Sequence, residues 1–353
     1  MKKAFLWFVL AAIVLCSHES FCQMDRGAIR KNNRRMMTYR GKKANFSQEK
    51  RYVSIAFTLN ALNYYGDLAP HPSLFSTDVS FTRPAIGLSV SQRLGPRYTL
   101  AASFMYGTLR GSDFASADPN DQTNGKYRYY RNLSFRNRIK ELSVVASFDL
   151  YENQHSYLNR VKWTPYAFGG LAVFHHNPEA IAPLTGLNDQ TLAEAGEWVS
   201  LQKLGTEGQY ANLEPTDANF GIKPYKLIQL AIPMGIGARF RLHDVVDFSA
   251  ELGFRYLFTD YIDDVSGNFV DLGVFDSELA RALSYRSNEL TIPDIARIPV
   301  TARNGVTYNV IDGYGHEFPT NIRGKKENND IYMVTTVRVS YIVGKTMHRA
   351  KFR

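Results

Sequence analysis

The 353-residue chain is poor in the features that define several large protein classes. Its two cysteines, Cys16 and Cys22, are too few for a disulfide scaffold. A single apolar run approaches the roughly 20 residues of a membrane helix, and it stands at the extreme N-terminus, which excludes a helical membrane bundle. Walker loops, dinucleotide fingerprints, Cys or His zinc spacings and nucleophile elbows are all missing, so the familiar nucleotide, zinc and hydrolase chemistries have no foothold. What the chain has in quantity is aromatic, 22 Phe and 21 Tyr, which excludes a disordered polypeptide, together with a formal net charge of +9.

The N-terminal run carries an address. Met1-Lys2-Lys3 followed by the apolar Ala4 to Leu15 has the form of a secretory signal peptide over residues 1–22, with Ser20 and Cys22 as the small residues before the cut and Gln23 as the first mature residue. Leu15 and Phe21, which precede the cysteines, are too large for the lipoprotein alternative. Residues 23–50 hold nine basic side chains against Asp25 and Glu49, a net +7, and residues 345–353 add +4 from Lys345, Arg349, Lys351 and Arg353. Residues 51–344 therefore sum to −3, a slightly acidic body between two basic ends. Within the leader, Arg30, Lys31, Arg34, Arg35, Arg40, Lys42 and Lys43 form a candidate docking surface. An acidic periplasmic protein, peptidoglycan or anionic lipid would suit it, whereas an exported address argues against nucleic acid.

From Val53 the chain alternates with a period of two. Val53, Ile55, Phe57 and Leu59 occupy one parity and Ser54, Ala56, Thr58 and Asn60 the other, the mark of a strand with one apolar and one polar face. The pattern recurs seven times, around Ile86–Val90, Tyr98–Tyr106, Leu142–Leu150, Tyr166–Phe174, Ile228–Phe240, Phe248–Phe258 and Ile331–Val343. In the fifth run the apolar parity is read as Tyr166, Phe168, Ala172 and Phe174. Several runs reach the roughly 9–11 residues that cross a bilayer as a tilted strand.

The connectors alternate long and short: 65–83, then Gly95-Pro96-Arg97, 111–135, a shorter 152–161, 176–224, 243–245 and 260–329. Short turns on one side and long loops on the other distinguish an outer-membrane barrel from a soluble sandwich. Tyr98, Tyr106, Tyr166, Phe174 and Phe258 near strand ends suggest interfacial girdles. The expected fold is an all-β, eight-stranded antiparallel transmembrane barrel over residues 51–344. It carries long extracellular loops, a basic periplasmic tail at 23–50, a basic end at 345–353 and both termini in the periplasm.

Eight strands leave a lumen that side chains can fill. The inward parity offers Arg93, Asp149, Gln229 and Arg241 together with the candidate ion-pairing residues Glu141, Arg239, Glu251 and Arg255, an expected plug rather than a selective pore. His175-His176 could be metal ligands or half of a rim hydrolase site, but without a matching Ser or acidic signature they read as a loop pair. Asp260-Tyr261-Ile262-Asp263-Asp264 with Asn268 and Asp271 offers hard oxygen ligands, yet lacks the spacing and glycine of a calcium loop, so it reads as a structural anchor. The expectation is a non-enzymatic protein without cofactor or metal.

The segment Glu251 to Ser266, above all Thr259-Asp260-Tyr261-Ile262-Asp263-Asp264-Val265-Ser266, resembles the signature of a Bacteroidetes outer-membrane barrel family typified by PorG of the type IX secretion system. Arg138 to Leu142, Trp163 to Gly170 and the signal end Ser20-Phe21-Cys22-Gln23 are similar to that family's pattern as well. The resemblance covers roughly 51–344 and makes Thr259, Asp260, Tyr261, Asp263 and Asp264 the family signature. It implies an outer-membrane component that associates with PorK/PorN-like periplasmic ring proteins of the secretion and gliding machinery. The alternative is a binding or adhesion module acting through its acidic outside loops, which carry −5 over 176–224 and −4 over 260–329.

Overall fold

The computed structural model describes residues 46, 50–68, 81–291, 295–326 and 329–343. The signal peptide, the docking residues Arg30 to Lys43 and the basic end 345–353 lie outside the described residues. Two compact units divide the chain, Met1–Ser47 and Gln48–Arg353, and the barrel belongs wholly to the second.

In chain order the elements are β1 (Val53–Tyr65), β2 (Arg83–Arg93), β3 (Tyr98–Ser112), α1 (Asp113–Ser116), α2 (Gly125–Arg131), β4 (Ser134–Asp149), β5 (Trp163–His175), β6 (Pro178–Ile181) and β7 (Trp198–Ser200). They continue with α3 (Leu201–Leu204), β8 (Ile228–His243), β9 (Val246–Leu257), α4 (Glu278–Ser284), β10 (Arg297–Thr301), β11 (Thr307–Ile311) and β12 (Ile331–Val343). Eight of the strands close a ring in the order β1-β2-β3-β4-β5-β8-β9-β12, and every pairing is antiparallel. The seam between first and last strand is in continuous register from Val53 opposite Val343 to Tyr65 opposite Ile331. Closure leaves no unpaired barrel edge, the condition for strands to stand in lipid.

Period two survives because the two faces meet different surroundings. Ile55, Phe57, Leu59, Leu88, Leu142, Ile236 and Val339 point outward and form an exposed apolar band around the ring, which is the lipid-facing surface of a membrane barrel. The barrel strands run 11 to 16 residues, longer than a crossing requires, so their ends project beyond the band. Tyr98, Tyr106 and Phe258 stand exposed at its margins as girdle residues. Tyr166 and Phe174, expected beside them, instead point into the lumen with Phe168 and Ala172, and the fifth strand turns Trp163, Ala167, Gly169, Leu171 and Val173 to the outside. The lumen wall is the reason. Gly235 and Gly253 face each other across β8 and β9, and a Cβ on either would lie within 3 Å of the Phe168 ring, which occupies the space they leave.

The lumen has two layers. Toward the short turns it is lined by Ser54, Thr58, Ser91, Ser103, Ser143, Ser249 and Ser340 around a cavity of about 70 Å³, room for about two waters. Toward the long loops it is filled by Leu62, Leu109, Phe135, Ile139, Phe174, Leu257, Tyr332 and Val334, all at most 1% exposed. The ion-pair network expected to plug the barrel therefore occupies the polar layer, while an apolar core seals the other half. Beyond this seal the long connectors fold together as a cap. Phe269, Phe275, Tyr285, Tyr308, Val310 and Tyr314 form one core within it, and Ala180, Leu192, Leu201, Leu279 and Leu283 another.

Candidate functional site

Arg255 meets both carboxylate oxygens of Glu141 at 3.1 Å, and Glu141 also accepts the Tyr332 hydroxyl at 2.5 Å. Arg239 lies 3.2 Å from Asp149, which Arg93 approaches to 2.5 Å. Glu251 accepts from Tyr166 at 2.7 Å and from Arg338 at 3.1 Å. Each carboxylate is matched by an arginine, the arrangement that lets charge sit inside a barrel. Glu141 and Arg255 thus pair with each other, while Arg239 and Glu251 pair with Asp149 and Arg338. Arg338, on the last strand, carries no sequence signal of its own, being a lone charge on the parity opposite the apolar one. Gln229 and Arg241 stay outside these pairs: Gln229 bonds the Lys226 carbonyl, and Arg241 turns to Asp244 at the short turn.

The signature segment leaves β9 and runs straight into the base of the cap. Thr259 accepts the Asp330 amide on its carbonyl and the Tyr261 amide on its hydroxyl. Ile262 is fully buried in the apolar seal, its amide donating to Asp330 at 2.9 Å and its carbonyl accepting from Asn137 at 2.7 Å. Asp263 accepts the Tyr64 hydroxyl at 2.6 Å, and the same hydroxyl lies 2.9 Å from Asp330. Asp264 sits in the left-handed region at φ 69° and accepts from Tyr225 at 2.6 Å and from Thr206. Tyr261 stacks on Tyr225 with ring centroids 4.6 Å apart.

Around this segment stands a second circle that sequence reading missed. Glu207 accepts the Ser266 and Gly267 amides and pairs with Arg323 at 2.9 Å, and Arg323 also donates to the Asp264 carbonyl at 2.6 Å. Arg131 pairs with Asp113 at 2.7 Å and reaches the carbonyls of Arg323 and Asp67. These residues come from four different connectors with no shared periodicity, so no sequence signal marks them as one group.

Burial sets the electrostatics of the hub. It pushes Asp260 up to about 9, with the neighbouring Asp263 charge adding to the effect. Asp263 and Asp330 are held well above the usual carboxylate range by burial and then by the surrounding carboxylates. Asp264 rises to about 6 because burial outweighs the opposing pull of Arg323. One Oδ of Asp260 is buried without a hydrogen-bond partner. Among the described residues no group of three or more His, Cys, Asp or Glu side chains is placed to hold a metal ion, and Asp271 and Asn268 are spent on local turns and on Asn219. The His175-His176 pair splits across the strand: His176 is buried against Phe174 and Tyr225, bonded to the Lys226 carbonyl and pushed down to about 4 by burial, while His175 belongs to the outward parity.

On the cap surface, two neighbouring grooves flank the 216–220 segment. The larger, about 620 Å³, is lined by Asp217, Asp271, Val300, Tyr308, His316, Glu317 and Phe318. Asp217 is held there by Arg303 at 2.6 Å. The smaller, about 340 Å³, runs between Phe220, Tyr261, Ile322 and Lys325.

A protein-family model described as a domain of unknown function, DUF6089, matches residues 44–194. No curated protein matches the chain. Among solved structures the chain is similar to the N-terminal β-barrel domain of Pseudomonas aeruginosa OprF, at 10% identity over 82% of this chain and 96% of that one, with a TM-score of 0.30. It is similar to a major outer membrane protein from Thermus thermophilus, at 11% identity over 82% and 99%, with a TM-score of 0.35. A third similarity is to Neisserial surface protein A, at 7% identity over 83% and 96%, with a TM-score of 0.31. The closed strand register and the outward apolar band carry the fold on their own, and they make this chain a β-barrel of the outer-membrane type.

Proposed function

We propose that the protein is a non-conducting outer-membrane anchor that organises a periplasmic protein assembly, as a component of the type IX secretion and gliding machinery. The observation that supports this reading is the sealed lumen: an apolar core above a fully paired ionic layer leaves no route for a solute, so function falls to surfaces at the barrel's ends. β1 begins and β12 ends at the short-turn side, opposite one another, and in the sequence the basic segments 23–50 and 345–353 precede the one and follow the other. On this reading that side faces the periplasm, and a PorK/PorN-like ring with an acidic docking face is the partner, with peptidoglycan as a weaker candidate. Pull-down of tagged protein from mild detergent tests it. Ring components should co-purify with the full chain and be lost when residues 23–43 are deleted; their absence from both preparations removes the reading.

The 620 Å³ cap groove supports a second reading, a binding module facing outward. Replacing residues 216–220 and 315–319 with short Gly/Ser linkers should then abolish surface binding while assembly of the periplasmic partner persists.

A further inference from the structure

We propose that the outward face of β3 and β4, just beyond the apolar band on the cap side, is a binding site for the phosphorylated headgroup of a lipid in the adjoining leaflet. The register places Arg110 opposite Arg136, Thr108 opposite Arg138 and Tyr106 opposite Lys140, while Lys140 lies opposite His175 on β5. All of these belong to the outward parity, so four cationic side chains of two adjacent strands share one surface. Directly opposed residues on paired strands have their Cβ atoms roughly 5 Å apart, and like charges so placed repel unless an anion joins them.

The counter-charge available from the described residues is small. Glu179 on β6 takes Arg136 at 2.6 Å, and the Arg136 guanidinium also lies 3.7 Å from the centre of the Trp198 ring. Arg138, half exposed, reaches the same carboxylate only at 3.9 Å. Among the described residues no carboxylate pairs with Arg110 or Lys140. One ring nitrogen of His175 is buried there without a hydrogen-bond partner. Among the described residues the patch therefore keeps a surplus of about three positive charges.

Its position selects the ligand. Immediately below Lys140 on the same face stand Leu142, at 60% exposure, and Val144, with Phe104, Leu171 and Val173 on the flanking strands, all part of the lipid-facing band. An anion that binds here has its counterpart to the apolar band in its own acyl chains. A lipid phosphate meets both requirements, since arginine pairs and a lysine are the usual phosphate ligands and basic side chains at a membrane surface attract anionic headgroups. The ridge is one-sided: the outward residues at the same end of β1 and β12, Ala61, Asn63, Met333 and Thr335, are uncharged. A local site fits this asymmetry, whereas a general interfacial ring of charge does not.

The test uses the full chain in nanodiscs of phosphatidylcholine containing either diphosphoryl lipid A or its dephosphorylated form, with bound lipid counted by native mass spectrometry after transfer to detergent. Wild type should retain the phosphorylated lipid and not the dephosphorylated one. The R110Q/R138Q/K140Q variant should retain at least tenfold less, while R110K/R138K, which keeps the charge, and the distant R51Q/K162Q should retain it as wild type does. The heat-dependent gel shift of a folded barrel checks that each variant has assembled. Equal retention by the triple variant, or equal retention of the dephosphorylated lipid, overturns the proposal. So does displacement of the lipid by millimolar inorganic phosphate, which would mark a free-phosphate site instead.

Discussion

Asp263 and Asp330 reach the same hydroxyl, that of Tyr64, at 2.6 and 2.9 Å. A phenol has one proton to give. It can donate fully to one carboxylate, and the other contact is favourable only when that carboxyl itself carries a proton. The hydrogen-bond count and the burial of both acids point the same way: the base of the cap holds carboxyls in their neutral form.

The first prediction follows from the sign of this effect. Asp260, Asp263 and Asp330 have folded pKa values above those of the unfolded chain, so the stability they contribute is complete below about pH 4 and is lost as pH rises through their folded values, about 9 for Asp260. His176 acts in the opposite sense. Its pKa is depressed to about 4, so its contribution is present above about pH 6.5 and lost as pH falls toward 4. Hydrogen exchange at Ile262, Val265 and Ser266, corrected for intrinsic rates, should show protection declining from pH 7 to pH 9. Asp260→Asn should flatten that decline; a slope unchanged in the variant would contradict the neutral-carboxyl account.

Glu207 and Arg323, both at most 2% exposed, hold the signature segment from outside. Replacing Arg323 by Met strands a buried carboxylate and should cost about 3–5 kcal/mol of cap stability, and Glu207→Gln a comparable amount. The pair replaced together should cost less than the sum, because Glu207 is then no longer a stranded charge, although buried Asp264, 3.8 Å from Arg323, still loses its cation. Limited proteolysis of the 258–330 segment reports the cap, and the gel shift of the folded barrel should persist in all three variants.

The barrel was legible in the sequence because period two is enforced by two solvents, lipid outside and a polar lumen within. Val53, Ile55, Phe57 and Leu59 obey that rule to the residue. The fifth strand did not, and its glycines explain why. With Gly169 outside and Gly170 inside, size no longer reports the face, and Tyr166, Phe168 and Phe174 are large because they fill the lumen. The cap obeys no period at all. Arg131 with the Arg323 carbonyl, and Glu207 with the Arg323 guanidinium, join connectors far apart in the chain, and only the fold brings them together. The signature stretch stood out by its acidity, but its role as a hub depends on Tyr64, Tyr225 and Asp330, none of which carries a local signal.

A third prediction concerns conduction. The apolar seal should make wild-type protein electrically silent in planar bilayers at neutral pH. Glu141→Ala leaves Arg255 buried and unpaired and should lower barrel stability by about 3–5 kcal/mol, read as the temperature of the gel shift. It should not open a channel, since Leu109, Phe135 and Phe174 still close the other layer. Discrete conductance steps in this variant would mean that the ionic layer, rather than the apolar one, is the gate.

The glycine pair under Phe168 gives a prediction in which two similar changes behave differently. A Cβ on Gly235 would lie 2.3 Å from the Leu252 carbonyl oxygen and 2.7 Å from the Phe168 ring. Backbone cannot move aside without breaking the ladder between β8 and β9. Gly235→Ala should therefore destabilise the barrel by about 1–3 kcal/mol, and trimming Phe168 should not restore it. A Cβ on Gly253 has its closest contact with the Phe168 ring at 2.9 Å, and its next contacts, at 3.2 and 3.3 Å, are the tip of Arg255 and the Met234 carbonyl oxygen. Gly253→Ala should cost a similar amount alone, yet recover in part when combined with Phe168→Leu, because the obstruction is a side chain that can be shortened. Thermal gel-shift midpoints of the two single and two double variants decide the matter. Equal rescue at both positions would show that the ring, and not the strand backbone, sets the requirement for glycine.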